Sequence, residues 1–169
     1  MVLTKTELVA SLQNEARILL HLAGKVDRAK LDYRPTPKQR STIELLKYLS
    51  MMGPRSLRFV KAGTFDAADW TAAEQEAEAR DFDQTLAAIA AHADTYAALL
   101  SDVSDADLRA DLVGAGVETT RGAFMVSYTL CDCAAYRMQL FLYLKASGHE
   151  ELNTWNLRAG VDAPATVQA

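Results

Sequence analysis

An all-α four-helix bundle, with one or two short extra helices, is the fold this sequence predicts. Three observations carry it. Alanine is abundant, Gly (8) and Pro (4) are sparse, and β-branched runs are rare, a balance that favours helix. Three capping-box patterns, Thr4 with Glu7, Ser41 with Glu44 and Thr71 with Glu74, mark helix starts. Behind each start, apolar residues recur at steps of three and four.

Helix one opens at Thr4. Its seam is Leu8, Leu12, Ala16, Leu19 and Ala23, and Gly24 ends it. The next stretch, Leu31-Asp-Tyr-Arg-Pro-Thr-Pro37, is extended, because a residue before proline is pushed out of the α region. Helix two opens at Ser41 with Leu45, Leu46, Leu49 and Met52 inward. Gly53-Pro54 breaks or kinks it, and a helical continuation runs from Pro54 to about Ala62.

From Thr71 to Leu100 the chain reads as one long helix. Phe82, Leu86, Ile89, Ala93, Tyr96 and Leu100 form a seam of bundle type. A polar stretch follows, with a short helix near Asp105 to Arg109. Helix four runs from about Thr120 to Ser147, with Gly148 as C-cap. It is apolar nearly all round between Phe124 and Ala135, which predicts burial beyond one bundle face and hence a homodimer. A short helix around Asn153 to Ala159 precedes a frayed tail over about 160–169.

The 169 residues fit one domain with a core large enough to fold unaided. A net charge of −4 gives no general attraction to nucleic acid or anionic membrane. There is no apolar run long enough for a membrane span, and no secretory signal at the start, so a cytoplasmic location is expected. Cys131 and Cys133 are two apart on a helix, about 200° around the axis, so they do not pair within it. They read as small core residues in a reducing compartment.

The chemistry-bearing feature is a polar stripe on the last helix. Asp132 and Tyr136 are four apart and share a face, and Tyr128, Gln139 and Tyr143 extend the line. An acid, an amide and phenols along an apolar helix predict a polar pocket or plug. The three histidines, His21, His92 and His149, form no i, i+4 pair and read as isolated surface or satisfied core groups. Lys38, Arg40, Lys47, Arg55, Arg58 and Lys61 read as a solvated basic face, balanced by the acidic Glu74-to-Asp83 segment; the sharper reading is an anion site.

Two blocks carry a family resemblance: Tyr33-Arg-Pro-Thr-Pro-Lys-Gln-Arg-Ser-Thr-Ile-Glu-Leu-Leu-Lys-Tyr-Leu49 and Tyr136-Arg-Met-Gln-Leu-Phe-Leu-Tyr-Leu-Lys-Ala-Ser-Gly148. Both resemble the DinB/YfiT-like superfamily of bacterial proteins. The resemblance implies an up-down-down-up bundle, usually a homodimer. It also implies, for many members, a divalent metal held by three histidines, and thiol-dependent S-transferase or isomerase activity.

At the three ligand positions this chain has Tyr48, Asp132 and Tyr136 instead. One carboxylate and two neutral phenols make a poor donor set, so no metal cofactor is expected. The sequence thus supports two functions. One is a metal-free DinB-like protein with a small-molecule pocket or polar plug at Tyr48, Tyr128, Asp132, Tyr136 and Gln139. The other is a thiol-dependent S-transferase or hydrolase with Asp132 as base or orienting group.

Overall fold

The computed structural model describes residues 3–113 and 116–164. Of the frayed tail expected over 160–169, residues 165–169 lie outside them. Helix α1 spans Lys5–Ala23 and is capped by Thr4 in a full capping box with Glu7. All five residues of its predicted seam are buried. A 3-10 turn at Arg28–Lys30 begins the crossover to α2. The crossover is pinned to the start of α2 by Thr42 N–H to the Tyr33 carbonyl at 2.8 Å and Ile43 N–H to the Leu31 carbonyl at 3.0 Å.

Helix α2 runs unbroken over Thr42–Ala62, with Pro54 inside it. The predicted break at Gly53-Pro54 does not occur, because the surroundings supply what the proline removes. Pro54 has no N–H for the Ser50 carbonyl four residues earlier. That carbonyl instead accepts from the buried His92 Nε2 at 3.0 Å and sits 3.5 Å from Arg80 Nη1. Arg80 also donates to Ser50 Oγ at 2.7 Å. Gly63 ends the helix in the left-handed region, at φ 78°.

The long helix expected from Thr71 to Leu100 is three helices. They are α3 (Ala67–Ala79), α4 (Phe82–Ala90) and α5 (His92–Leu99). Asp66, not Thr71, caps α3, accepting from the N–H groups of Ala68 and Asp69. Arg80 and Asp81 are extended, and Asp81 starts α4 with a capping box of its own to Gln84. The α4–α5 junction at Ala91 stays near-helical, so Ile89, Tyr96 and Leu100 still reach the core, while Phe82, Leu86 and Ala93 are half-buried.

The short helix α6 (Asp105–Arg109) forms where expected. The last long helix is α7 (Arg121–Phe124), a π-helical segment over Met125–Leu130, and α8 (Cys131–Ala146). A second π turn at Trp155–Ala159 lies against α1.

Cross-contacts fix the directions. α1 touches α4 and α5, which touch α2, which touches α8, which returns to α1. Lys5 meets Asp105 while Arg28 meets Asp83, so α1 runs against α4–α5. Lys47 meets Glu78 and Lys61 meets Asp102, so α2 runs with α4–α5. Tyr48 packs on Tyr136 and Phe59 on Tyr128, so α2 runs against the last helix. The result is an up-down-down-up four-helix bundle with α3 laid over α2. There is no strand among the described residues.

The core has two large apolar halves, one around Leu22, Leu45, Leu46 and Leu140, the other around Leu8, Leu12, Leu57 and Leu100, and a third, small cluster of Met51, Met52, Ala73 and Ala77 where α3 lies on α2. Between the two large halves lies a more polar layer of Glu15, Gly53, His92, Tyr96 and Cys133. Gly53 leaves the space that the Tyr96 hydroxyl occupies, and a Cβ there would force that side chain to move. Cys133 belongs to this layer, and burial pushes its thiol up to about 11. Cys131 does not: it is exposed, because a step of 200° turns it outward.

Candidate functional site

Asp132 is the second residue of α8, two residues past the π segment and one turn before Tyr136. Antiparallel packing brings Tyr48 of α2 against Tyr136, with ring centroids 5.0 Å apart and planes at 59°. Tyr128, inside the π segment, stacks on Phe124 at 5.1 Å and meets Phe59 edge-on at 5.5 Å. Two aromatic clusters therefore flank Asp132 along the α2–α8 seam. π-helical turns inside α-helices are frequent at functional sites, and this one sets how Tyr128 is presented.

Asp132 is half-buried, and its carboxylate makes no hydrogen bond or ion pair among the described residues. Burial raises its pKa above the usual carboxylate value. Its charge is felt by both neighbours. The Tyr48 hydroxyl is held protonated well above the ordinary phenol range, by burial first and then by Tyr136. Tyr128 is raised in the same way, by burial and then by Asp132. The Arg40 guanidinium lies over the Tyr48 ring, 4.1 Å from its centroid, and works against that rise. Outside, Tyr48 lines a shallow cleft of about 210 Å³ with Arg40, Glu44, Met51, Glu74 and Glu78.

The rest of the stripe has definite structural partners. Gln139 Nε2 donates to the Tyr143 hydroxyl at 2.9 Å, and that hydroxyl donates to the Arg40 carbonyl at 3.0 Å. The pair thereby ties α8 to the approach of α2. Arg137, two residues before Gln139, donates to Glu15 at 2.6 Å and also to the Leu157 carbonyl. With side chains only 12% and 15% exposed, Arg137 and Glu15 form a buried bridge from α8 to α1.

The histidines stand elsewhere. His92 bonds to Ser50, and burial lowers its pKa. His21 meets Asn156 at 3.2 Å near the C-terminal segment. His149 is half-buried, not fully exposed, and pairs with Glu151 at 3.0 Å. No group of three His, Cys, Asp or Glu side chains among the described residues is arranged to hold a metal ion. At the Tyr48–Asp132–Tyr136 position a single carboxylate and a phenol held protonated do not fit a divalent ion.

Bundle order, helix directions and the crossover together define the DinB-like fold. A solved structure bears this out: the chain superposes on a DinB-like protein, YjoA, from Bacillus subtilis with a TM-score of 0.66. The match has 18% sequence identity and covers 86% of this chain and 94% of that one. At that identity the likeness establishes the fold. No protein-family model matches the chain, and no functionally curated protein matches it by sequence.

Proposed function

We propose that the protein is a metal-independent small-molecule-binding protein of the DinB-like fold. Asp132 anchors the ligand, and Tyr48, Tyr128 and Tyr136 wall the site. The observation that carries this reading is the half-buried Asp132 carboxylate, raised in pKa and without a partner among the described residues. The carboxylate is partly open to solvent and its acceptor oxygens have no protein partner among the described residues, so a ligand beside the aromatic rings can take the place of water on it. A ligand that donates hydrogen bonds or carries an ammonium group matches the carboxylate and the ring faces. Gln139, engaged with Tyr143, then shapes the far end of the site.

Calorimetric screening of small amines and amides against wild type and Asp132→Asn tests the proposal. Binding that Asp132→Asn weakens roughly tenfold or more supports it, as loss of one charge-assisted contact would. Metal analysis of protein purified without a chelating tag is the second arm. Stoichiometric zinc or nickel, lost on Asp132→Asn, would overturn the metal-free reading.

A second reading is a thiol-dependent S-transferase or hydrolase with Asp132 as general base. The raised pKa favours it, since a more basic carboxylate is a better proton acceptor. Its signature is turnover of electrophilic substrates with low-molecular-weight thiols that rises with pH as Asp132 ionises. No turnover in wild type, or equal turnover in Asp132→Asn, removes it.

We also propose a homodimer. Cys131, Ala135, Met138 and Leu142 form an exposed apolar stripe on α8 at steps of four, three and four. Met138 is 42% and Leu142 55% exposed, more than an unpartnered helix face needs.

A further inference from the structure

A second site stands beyond the Asp132 seam. The last turns of α2, the Gly63–Asp66 connection and the start of α3 enclose a cleft of about 450 Å³. That is the size of a small-molecule pocket. Three rings line it. Phe65 is 53% exposed, yet it is held between Phe59 and Trp70, with centroids 5.7 Å away on either side. A large apolar ring fixed in place but open to water is an uncovered contact surface.

The charges in the cleft balance in sign, Arg55, Arg58 and Lys61 against Asp66, Asp69 and the Lys61 partner Asp102, but they are not all engaged with one another. Arg55 is paired with Asp69. Lys61 donates to the Leu99 carbonyl at 2.9 Å and to Asp102 at 2.5 Å. Asp66 is committed to capping α3. Arg58 lines the same cleft, is exposed, and has no hydrogen bond or ion pair with the described residues. Arg58 is therefore the cation of the cleft whose donors are not taken up by a described residue.

We propose that this cleft binds a small planar aromatic anion, with its ring against Phe65 and Trp70 and its carboxylate on Arg58. Guanidinium offers paired donors that match a carboxylate, and the rings give apolar cover to the rest of the ligand. Phe59 is the shared wall with the Asp132 region, since its other edge meets Tyr128. The proposal does not depend on what Asp132 binds.

The test is calorimetric titration of the whole chain with 2-naphthoate, 2-naphthamide and cyclohexanecarboxylate. The expected result is saturable one-to-one binding of 2-naphthoate, with both analogues weaker. Arg58→Glu weakens 2-naphthoate roughly tenfold or more, as loss of a charge-assisted contact does. Phe65→Ala weakens it as well. Arg58 is exposed and unpaired among the described residues, so Arg58→Glu should keep the wild-type melting temperature, whereas Phe65→Ala loses two ring contacts and should lower it modestly while the helical fold is kept. Lys30→Glu makes the same charge change at the opposite end of α2 and leaves the affinity unaltered. No saturation by 2-naphthoate, equal binding of 2-naphthamide, or wild-type affinity in Arg58→Glu would each overturn the proposal.

Discussion

The partial burial that raises the Asp132 pKa predicts a small cost to folded-state stability. A carboxylate whose pKa is raised by burial binds its proton more tightly folded than unfolded. Below both pKa values it is protonated in each state and costs nothing. As pH rises past the unfolded value, near 3.9, the cost appears, and it is complete above the raised folded value. Asp132→Asn should therefore raise the melting temperature at pH 7 and lose that advantage at pH 3. Thermal melts at the two pH values measure it. An unchanged or lower melting temperature at pH 7 would mean that Asp132 has a partner. A rise at pH 7 would be the pattern of a residue kept at the expense of stability. The sequence placed Asp132 and Tyr136 on one face from spacing alone, and the family resemblance placed Tyr48 opposite them. It did not show whether the carboxylate bonds the phenols, because that turns on rotamers and fractions of an ångström rather than on spacing.

At the scale of the element, Pro54 and His92 act as one device. The proline frees the Ser50 carbonyl, and His92 on α5 satisfies it. Since a carbonyl only accepts, Nε2 carries the proton. His92→Leu leaves the buried carbonyl short of its main donor and should cost about 1–3 kcal/mol. In a Pro54→Ala background the restored N–H bonds Ser50, and the cost should fall by about 1 kcal/mol. A double-mutant cycle by urea denaturation reads the coupling; no coupling would separate the two residues. The pH sign follows from burial, with Arg80 adding to it: both lower the His92 pKa from 6.5. The unfolded chain takes up the proton first, so this contribution is complete above about pH 6.5 and is lost as pH falls toward the lowered folded value. His92→Gln should flatten the loss of stability between pH 7.5 and 5.5. None of this was legible beforehand, because Gly53-Pro54 reads as a helix breaker until the partner from another helix is known. The third helix misled for a related reason. Thr71 and Glu74 look like a helix start, while the working caps are Asp66 and Asp81, each an aspartate ahead of an alanine-rich or mixed run. The π segment leaves no mark in patterns that assume 3.6 residues per turn.

For the whole molecule, the bundle itself was legible, since apolar seams on α1, α2 and α8 dictate which faces meet. The cleft at Phe65 and Arg58 was not, because it is assembled from two helices and the loop between them. The α8 stripe leads to a prediction on assembly. Leu142→Glu should shift a dimer toward monomer at least about tenfold in dissociation constant while the fold is kept. Light scattering at micromolar concentration, with circular dichroism as control, reads it. A wild-type monomer, or a dimer indifferent to the charge, excludes this face.

The bridge between α1 and the C-terminal third has a consequence in time as well as in space. Glu15 waits for Arg137, 122 residues later, and Arg17 waits for the Gly160 carbonyl, 143 residues later. During synthesis α1 emerges well before these two neighbours. Closing so long a loop comes late and depends on α8 and the segment after it. The nascent bundle therefore holds the apolar seam of α1 partly open until those segments have been made. In that interval the growing chain is most exposed to chaperones and to other unfinished copies of itself.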